Sequence, residues 1–393
     1  MNSRERVLTA LDHREPDRVP ITFGCPVFSS IFDAPPHGYR ALCAHLGVDG
    51  YEEPRIFADS NTVENADPRL LDRFGADLRW VCAGLGLQAE PLGDGKFRDP
   101  WYGIVVTRAG AFYDAMTEDA PLRGSIDIAD VDRYPYWPDD RLLRDPAMIA
   151  GAADEARRLR AAGFPVVAIP GSAMQIFHFY EFLRGFDSWL MDMHDNPRFY
   201  HALCERLLEV DLRYLETFLP PIADHIDLLL MGEDLGSQRS LFMSPEMYRE
   251  FCKPYQRRWI EAARQLAPKA SIVLHTCGNV SAIIPDFIEI GVDVLNPVQP
   301  RAAMMEPWRI KRDFGDALSF LGGFDIQELL PFGTLSQILD GARELIDTYG
   351  PGGGFVFSPA HQILPEVPPE NIVAMYDGAL AAGDYPLGAS RRP

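Results

Sequence analysis

The sequence has no CxxC pair and no closely spaced cysteines: its six stand at 25, 43, 82, 204, 252 and 277. That scatter offers neither a disulfide framework nor a zinc-ribbon spacing, and it fits a reducing, cytoplasmic compartment. No apolar run approaches the about 20 residues needed to cross a bilayer. The opening MNSRERVLTALDH reads as a capped amphipathic helix, not as a signal peptide. Positive charge is also scarce, with 37 Lys and Arg against 57 Asp and Glu and a net charge of −20. Phosphate-rich partners would be repelled, so nucleic acid and anionic membrane surfaces are not expected. The same field disfavours a strongly anionic substrate unless a local basic pocket overrides it. Finally, no low-complexity tract, charge block or Ser/Gly linker marks a domain boundary.

What the 393 residues do contain is a recurring pair of patterns. Short apolar runs read as strands at 19–24, 77–83, 165–171, 227–232, 271–276, 292–297, 318–323 and 354–359. Amphipathic stretches separate most of them, such as the one beginning SPEM, with Ser244 as N-cap and Pro245 at the first helical position. Asn279 is placed to cap the next helix, which closes at Gly291. Continuously apolar strands alternating with helices indicate a parallel sheet covered on both faces. Eight of them favour a closed (β/α)8 TIM barrel, one α/β domain over 1–393, over an open sheet with a cap domain. Residues 84–125 break the rhythm and read as an inserted hairpin region after the second strand. The glycine-rich 350–355 precedes a strand instead of linking strand to helix, so it is a loop and not a phosphate cradle.

Barrel enzymes carry their chemistry at the C-terminal ends of the strands. Collecting those tips brings Glu233, Asp234, His275, Cys277, Gln299, Asp325 and His361 to one mouth. In HTCGN, His275 and Cys277 share a face because strand side chains alternate. Two imidazoles and a thiolate are competent zinc ligands, and three protein ligands with an open position describe a catalytic site. Glu233 offers a fourth ligand or steers a histidine. Two other readings stay open at this point: the cysteine is inert packing, or Cys277 is a nucleophile with His361 as its base. In the loop after the third strand, Met174, Phe177 and His178 are candidates for the substrate wall.

HTCGN, VDVLNPVQ, LSFLGGFD and above all FSPAHQILPEVPPENI resemble the uroporphyrinogen decarboxylase superfamily, as do RERVLTALDHREPDRVP and GSAMQIFHFYEFLRG. The resemblance covers nearly the whole chain and implies a single (β/α)8 barrel. True decarboxylases of that superfamily bind porphyrinogen carboxylates with arginines after the first strand and use an aspartate at the second tip. Here the first tip, FGCPVFSS, has no arginine, and the second, VCAGLG, has no carboxylate. The other branch holds zinc-dependent methyltransferases of corrinoid systems, whose metal site is a His-x-Cys and a late cysteine. His275 and Cys277 match the pair, and the late cysteine falls at His361. The resemblance therefore implies methyl transfer between a small, largely uncharged methylated compound, such as a methoxylated aromatic, and a corrinoid. The cofactors would be zinc, on His275, Cys277 and His361, and a corrinoid carried by a separate protein, because no corrinoid-binding segment is visible. Glu233 and Asp234 would be catalytic; Met174, Phe177, His178, Gln299 and Asp325 would bind substrate. A homodimer is allowed. The competing readings are a uroporphyrinogen decarboxylase-type carboxy-lyase of porphyrin biosynthesis and a non-enzymatic binding protein on the same fold.

Overall fold

In the computed structural model, which describes residues 1–57, 62–82, 90–99, 101–109, 112–115, 117–145, 147–170 and 176–387, the apolar runs form a parallel sheet. Its strands are Arg79–Cys82, Val166–Ile169, Leu228–Gly232, Ser271–His275, Val294–Asn296, Ser319–Phe324 and Phe355–Pro359, each beside its neighbours in sequence. The expected first strand, 19–24, is reduced to a bridge between the two edges. On one side Thr22 donates to the Phe357 carbonyl at 3.0 Å and Phe357 donates to the Pro20 carbonyl at 2.8 Å. On the other, Asp77 N–H donates to the Ile21 carbonyl at 2.7 Å, while its carboxylate accepts the Ile21 N–H at 3.0 Å. Pro20 has no N–H to extend a ladder, and a side chain takes the N–H of Ile21, so pairing stays short. The architecture is that of a (β/α)8 barrel with an abbreviated first strand.

Alternation along the strands sorts their side chains. Leu78, Val167, Ile169, Leu228, Leu230, Val273, Val294, Leu321 and Val356 fill the barrel. Their neighbours, such as Leu229, Met231, Ile272, Leu274 and Phe320, face outward into the layer covered by helices. The N-terminal helix Ser3–Leu11, started by an Asn2–Glu5 capping box, closes the N-terminal end of the barrel with Val7. Arg4 pairs with Asp227 at 2.9 Å and Arg6 with Asp77 at 2.7 Å, both aspartates standing just before strands. The glycine loop belongs to this closure, with Gly354 N–H donating to the Ala10 carbonyl at 2.6 Å. The C-terminal strand ends lie at the opposite face.

The inserted region contains a four-stranded antiparallel meander, Glu90–Gly93, Lys96–Arg98, Val105–Ala109 and Phe112–Ala115. Its first turn places Asp94 and Gly95 at φ 51° and 74°, the left-handed pair of a type I′ hairpin. Tyr102 packs on Phe179 with ring centroids 4.4 Å apart, fixing the insertion against the helix Ile176–Arg184 that follows the third strand of the sequence reading. Ser244 caps its helix as expected, accepting the Met247 N–H at 3.2 Å. That helix passes through a π turn, Tyr248–Cys252, before Lys253–Leu266, next to Pro254, which has no N–H to donate. Asn279 accepts from Ser281 N–H at 3.2 Å, starting a short 3₁₀ turn ahead of Ile284–Ile290, and Gly291 ends that helix at φ 95°. Among the described residues, no helix is long and apolar enough to cross a membrane.

Candidate metal centre

The Ser271–His275 strand ends in a turn that only glycine can make. Gly278 has φ +82°, and a Cβ there would stand 2.3 Å from the Gly236 carbonyl oxygen. Two side chains from neighbouring tips hold the turn by its backbone. Asp234 Oδ1 accepts the Cys277 N–H at 2.7 Å, and Gln299 Oε1 accepts the Gly278 N–H at 3.0 Å and a Gln238 N–H at 2.6 Å. Gln299, expected at the substrate, is thus occupied with shaping the turn.

The turn brings Cys277 Sγ to 3.8 Å from His275 Nε2. His361, from the loop after the last strand, sets its ring centroid 5.2 Å from that of His275 at an interplanar angle of 69°. One ligand atom from each of His275, Cys277 and His361 lies within 4.8 Å of the other two. His275 is buried, whereas Cys277 and His361 are half-buried and give the cluster an outer side. Zinc bonds of about 2.0–2.1 Å to nitrogen and 2.3 Å to sulfur imply tetrahedral edges of about 3.3–3.7 Å. The Cys277–His275 separation is already close to that value, and the two edges to His361, within 4.8 Å, need to close by about 1.5 Å at most, so the donor set fits zinc.

The electrostatics agree with that fit. Burial lowers the pKa of His275, and burial followed by the neighbouring His275 lowers that of His361 to about 4. Both imidazoles are therefore neutral near pH 7, the form that coordinates. Burial, and then Asp234, push the Cys277 thiol well up. A nearby divalent cation reverses that preference, since thiolate is the ligand form. Burial would also raise Asp234, but His178, His275, the Cys277 N–H and His361 together hold it below the usual carboxylate range.

The adjacent carboxylates Glu233 and Asp234 do not share a face, which corrects the expectation that both line the mouth. Asp234 lies within the site, 3.9 Å from His178 Nε2. Glu233 is fully buried on the outer side, where its Oε2 accepts the Phe177 N–H at 3.0 Å at the start of Ile176–Arg184. Burial pushes its carboxyl well above the usual range. Phe177 is buried too, near Trp189 at 6.5 Å between ring centroids, so it supports the helix more than a cavity wall. His178, one residue on, reaches the site, with the Asp234 N–H 3.4 Å from its Nδ1. Asp325 is engaged by its own loop and by the loop after Val294–Asn296: it accepts the Gln327 N–H at 2.8 Å and Arg301 Nε–H at 2.8 Å. Met174 lies outside the described residues. Sequence reasoning passed over Asn296, which accepts from His275 Nδ1 at 2.6 Å; a polar residue ending the apolar run VDVLN is the signal that could have found it.

Comparison with known proteins bears on this site. A model of the family described as uroporphyrinogen decarboxylase (URO-D) matches residues 124–380. The chain is similar to a Methanosarcina mazei protein named methylated-thiol–coenzyme M methyltransferase, with 25% identity over 214 residues, 53% of this chain and 53% of that protein. It is also similar to uroporphyrinogen decarboxylases of Thioalkalivibrio sulfidiphilus, 26% identical over 49% of this chain and 51% of that protein, and of Geotalea daltonii, 25% identical over 69% and 79%. The chain spans about half the length of the first two of these relatives. Among solved structures, a methyltransferase from Methanosarcina mazei shares the fold over 97% of this chain and 99% of its own, with a TM-score of 0.62 at 17% identity.

Proposed function

We propose that this chain, which belongs to the uroporphyrinogen decarboxylase family, is a zinc-dependent methyltransferase working between a small methylated compound and a corrinoid on a separate protein. The observation that carries this reading is the convergence of His275, Cys277 and His361 within 4.8 Å. Two imidazoles and a thiolate are competent zinc ligands that leave a fourth position open. The Methanosarcina mazei relative, whose name is that of a methyltransferase, supports the same class of reaction. Against the carboxy-lyase alternative stand the first tip without arginine and the second without a carboxylate.

His275, Cys277 and His361 would hold the ion, whose part is Lewis acidity toward the leaving atom of the methyl donor. A methoxylated aromatic suits this site because its leaving oxygen is basic and needs such help. As the donor's carbon–oxygen bond breaks, the corrinoid of the partner would supply the reduced centre that accepts the methyl group, and the oxygen would leave with a proton. Asp234, 3.9 Å from His178 Nε2, would assist the imidazole that hands that proton to the leaving oxygen. Glu233 acts at a distance, holding the start of the helix that carries His178. Asp234 and Gln299 keep the Cys277 turn in place while the donor enters.

The test is a coupled assay. Purified protein, a reduced corrinoid protein and a panel of methyl ethers, methylamines and methylthiols are mixed, and methyl–cobalt formation is followed by absorbance. Turnover with at least one donor, lost on zinc removal and restored by zinc, is the expected result. No turnover across the panel with zinc bound at one per chain would end the methyltransferase reading.

A further inference from the structure

We propose that Asn296 is a positioning residue that fixes His275 as the Nδ1–H tautomer, so that its Nε2 lone pair faces Cys277 and His361. The inference rests on the metal-site reading above and assigns a role to a residue outside the donor set.

Leu321 O lies 3.0 Å from one terminal atom of the Asn296 amide. A carbonyl oxygen only accepts, so the atom facing it is the amide nitrogen. The other terminal atom is then the oxygen, which only accepts, and it stands 2.6 Å from His275 Nδ1. His275 Nδ1 must therefore carry a proton. In the neutral ring, the form that ligates a metal, this is the single ring proton, and Nε2 is left bare. That bare nitrogen is the atom 3.8 Å from Cys277 Sγ. The opposite tautomer would set a lone pair against the Asn296 oxygen, with both residues buried.

The chain of donors also ties the site to the fold. Asn296 ends the Val294–Asn296 strand and Leu321 lies in Ser319–Phe324, which pairs with it in parallel, Leu295 opposite Phe320. The register of two barrel strands thereby selects which nitrogen of His275 is available. A histidine ligand whose other nitrogen is held by a hydrogen bond binds metal more tightly, and losing such a partner lowers affinity by about 10–100-fold.

The experiment uses the full chain with histidine labelled by ¹⁵N, first freed of metal by a chelator. Long-range ¹H–¹⁵N spectra distinguish a protonated from a bare ring nitrogen. The expected result is a protonated Nδ1 and bare Nε2 at His275. Asn296→Leu should let the Nε2–H form appear and lower zinc affinity by about 10–100-fold in chelator competition, while Asn296→Asp, which keeps an acceptor, should restore most of both. A wild-type His275 protonated on Nε2 overturns the proposal, as does an Asn296→Leu protein with unchanged tautomer and affinity. If Asn296→Leu fails to fold, the wild-type spectrum decides alone. A wild type with protonated Nδ1 that binds no zinc upholds the tautomer assignment and sinks the metal reading instead.

Discussion

The carboxylate of Asp234 accepts the backbone N–H of Cys277 at 2.7 Å, so one residue both shapes the metal-binding turn and brings a negative charge to its side. Substitution separates the two roles. Asp234→Asn keeps an acceptor for the N–H and should retain zinc at one per chain while turnover falls by about 10²-fold or more, the usual scale for a group that assists proton transfer. Asp234→Ala should lose metal as well. Metal analysis beside steady-state rates checks this; equal rates for the Asn variant and wild type would remove Asp234 from the chemistry.

Cys277→Ala and His361→Ala should each leave purified protein with much less than one zinc per chain, with the fold intact by circular dichroism. Both side chains are half-buried, so shortening them opens little of the core. Full zinc occupancy in either variant would mean that the cluster is not the metal site.

Gly278→Ala tests the turn itself. Its φ of +82° and the 2.3 Å approach of the Gly236 carbonyl leave no room for a methyl group. Strain of this kind costs about 1–3 kcal/mol. The expected outcome is a lower melting temperature together with weaker zinc binding, since Cys277 must move with the turn. Unaltered zinc affinity would show that the turn does not position the thiol.

Stability should depend on pH through Asp211. Burial raises its pKa from 3.8 to about 8 in the folded protein. Between those values the folded chain keeps a proton that the unfolded chain releases, so its contribution is complete below about pH 4 and is lost as pH rises toward 8, by at most about 1.4 kcal/mol per unit. Asp211→Asn should flatten this slope and gain most relative to wild type near pH 8. Thermal melts of both proteins from pH 5 to 8 would show it; parallel curves would contradict it.

Incubation with uroporphyrinogen should give little or no coproporphyrinogen, because the first tip supplies no arginine for the substrate's carboxylates and the second no aspartate. Product formed at an enzymatic rate would restore the carboxy-lyase alternative.

Local pattern was enough to specify the barrel and half of its site. Apolar runs, proline and glycine stops and period-two alternation are properties of a few consecutive residues, so the strands, the helices between them and the shared face of His275 and Cys277 could be read without coordinates. Alternation could also have separated Glu233 from Asp234, had the period of the 227–232 strand been carried on past its last residue. The rest depends on how strands lie against one another. Nothing near His361 in the chain says that its ring comes 5.2 Å from that of His275; closure of the barrel does that, with Ile363 N–H bonded to the Ser30 carbonyl at 2.8 Å beside it. Nor does the run VDVLN say that Asn296 will meet a histidine on one side and a carbonyl on the other. Those contacts are set by the register of three parallel strands, and register is fixed by packing across the whole sheet, which no short stretch of sequence contains.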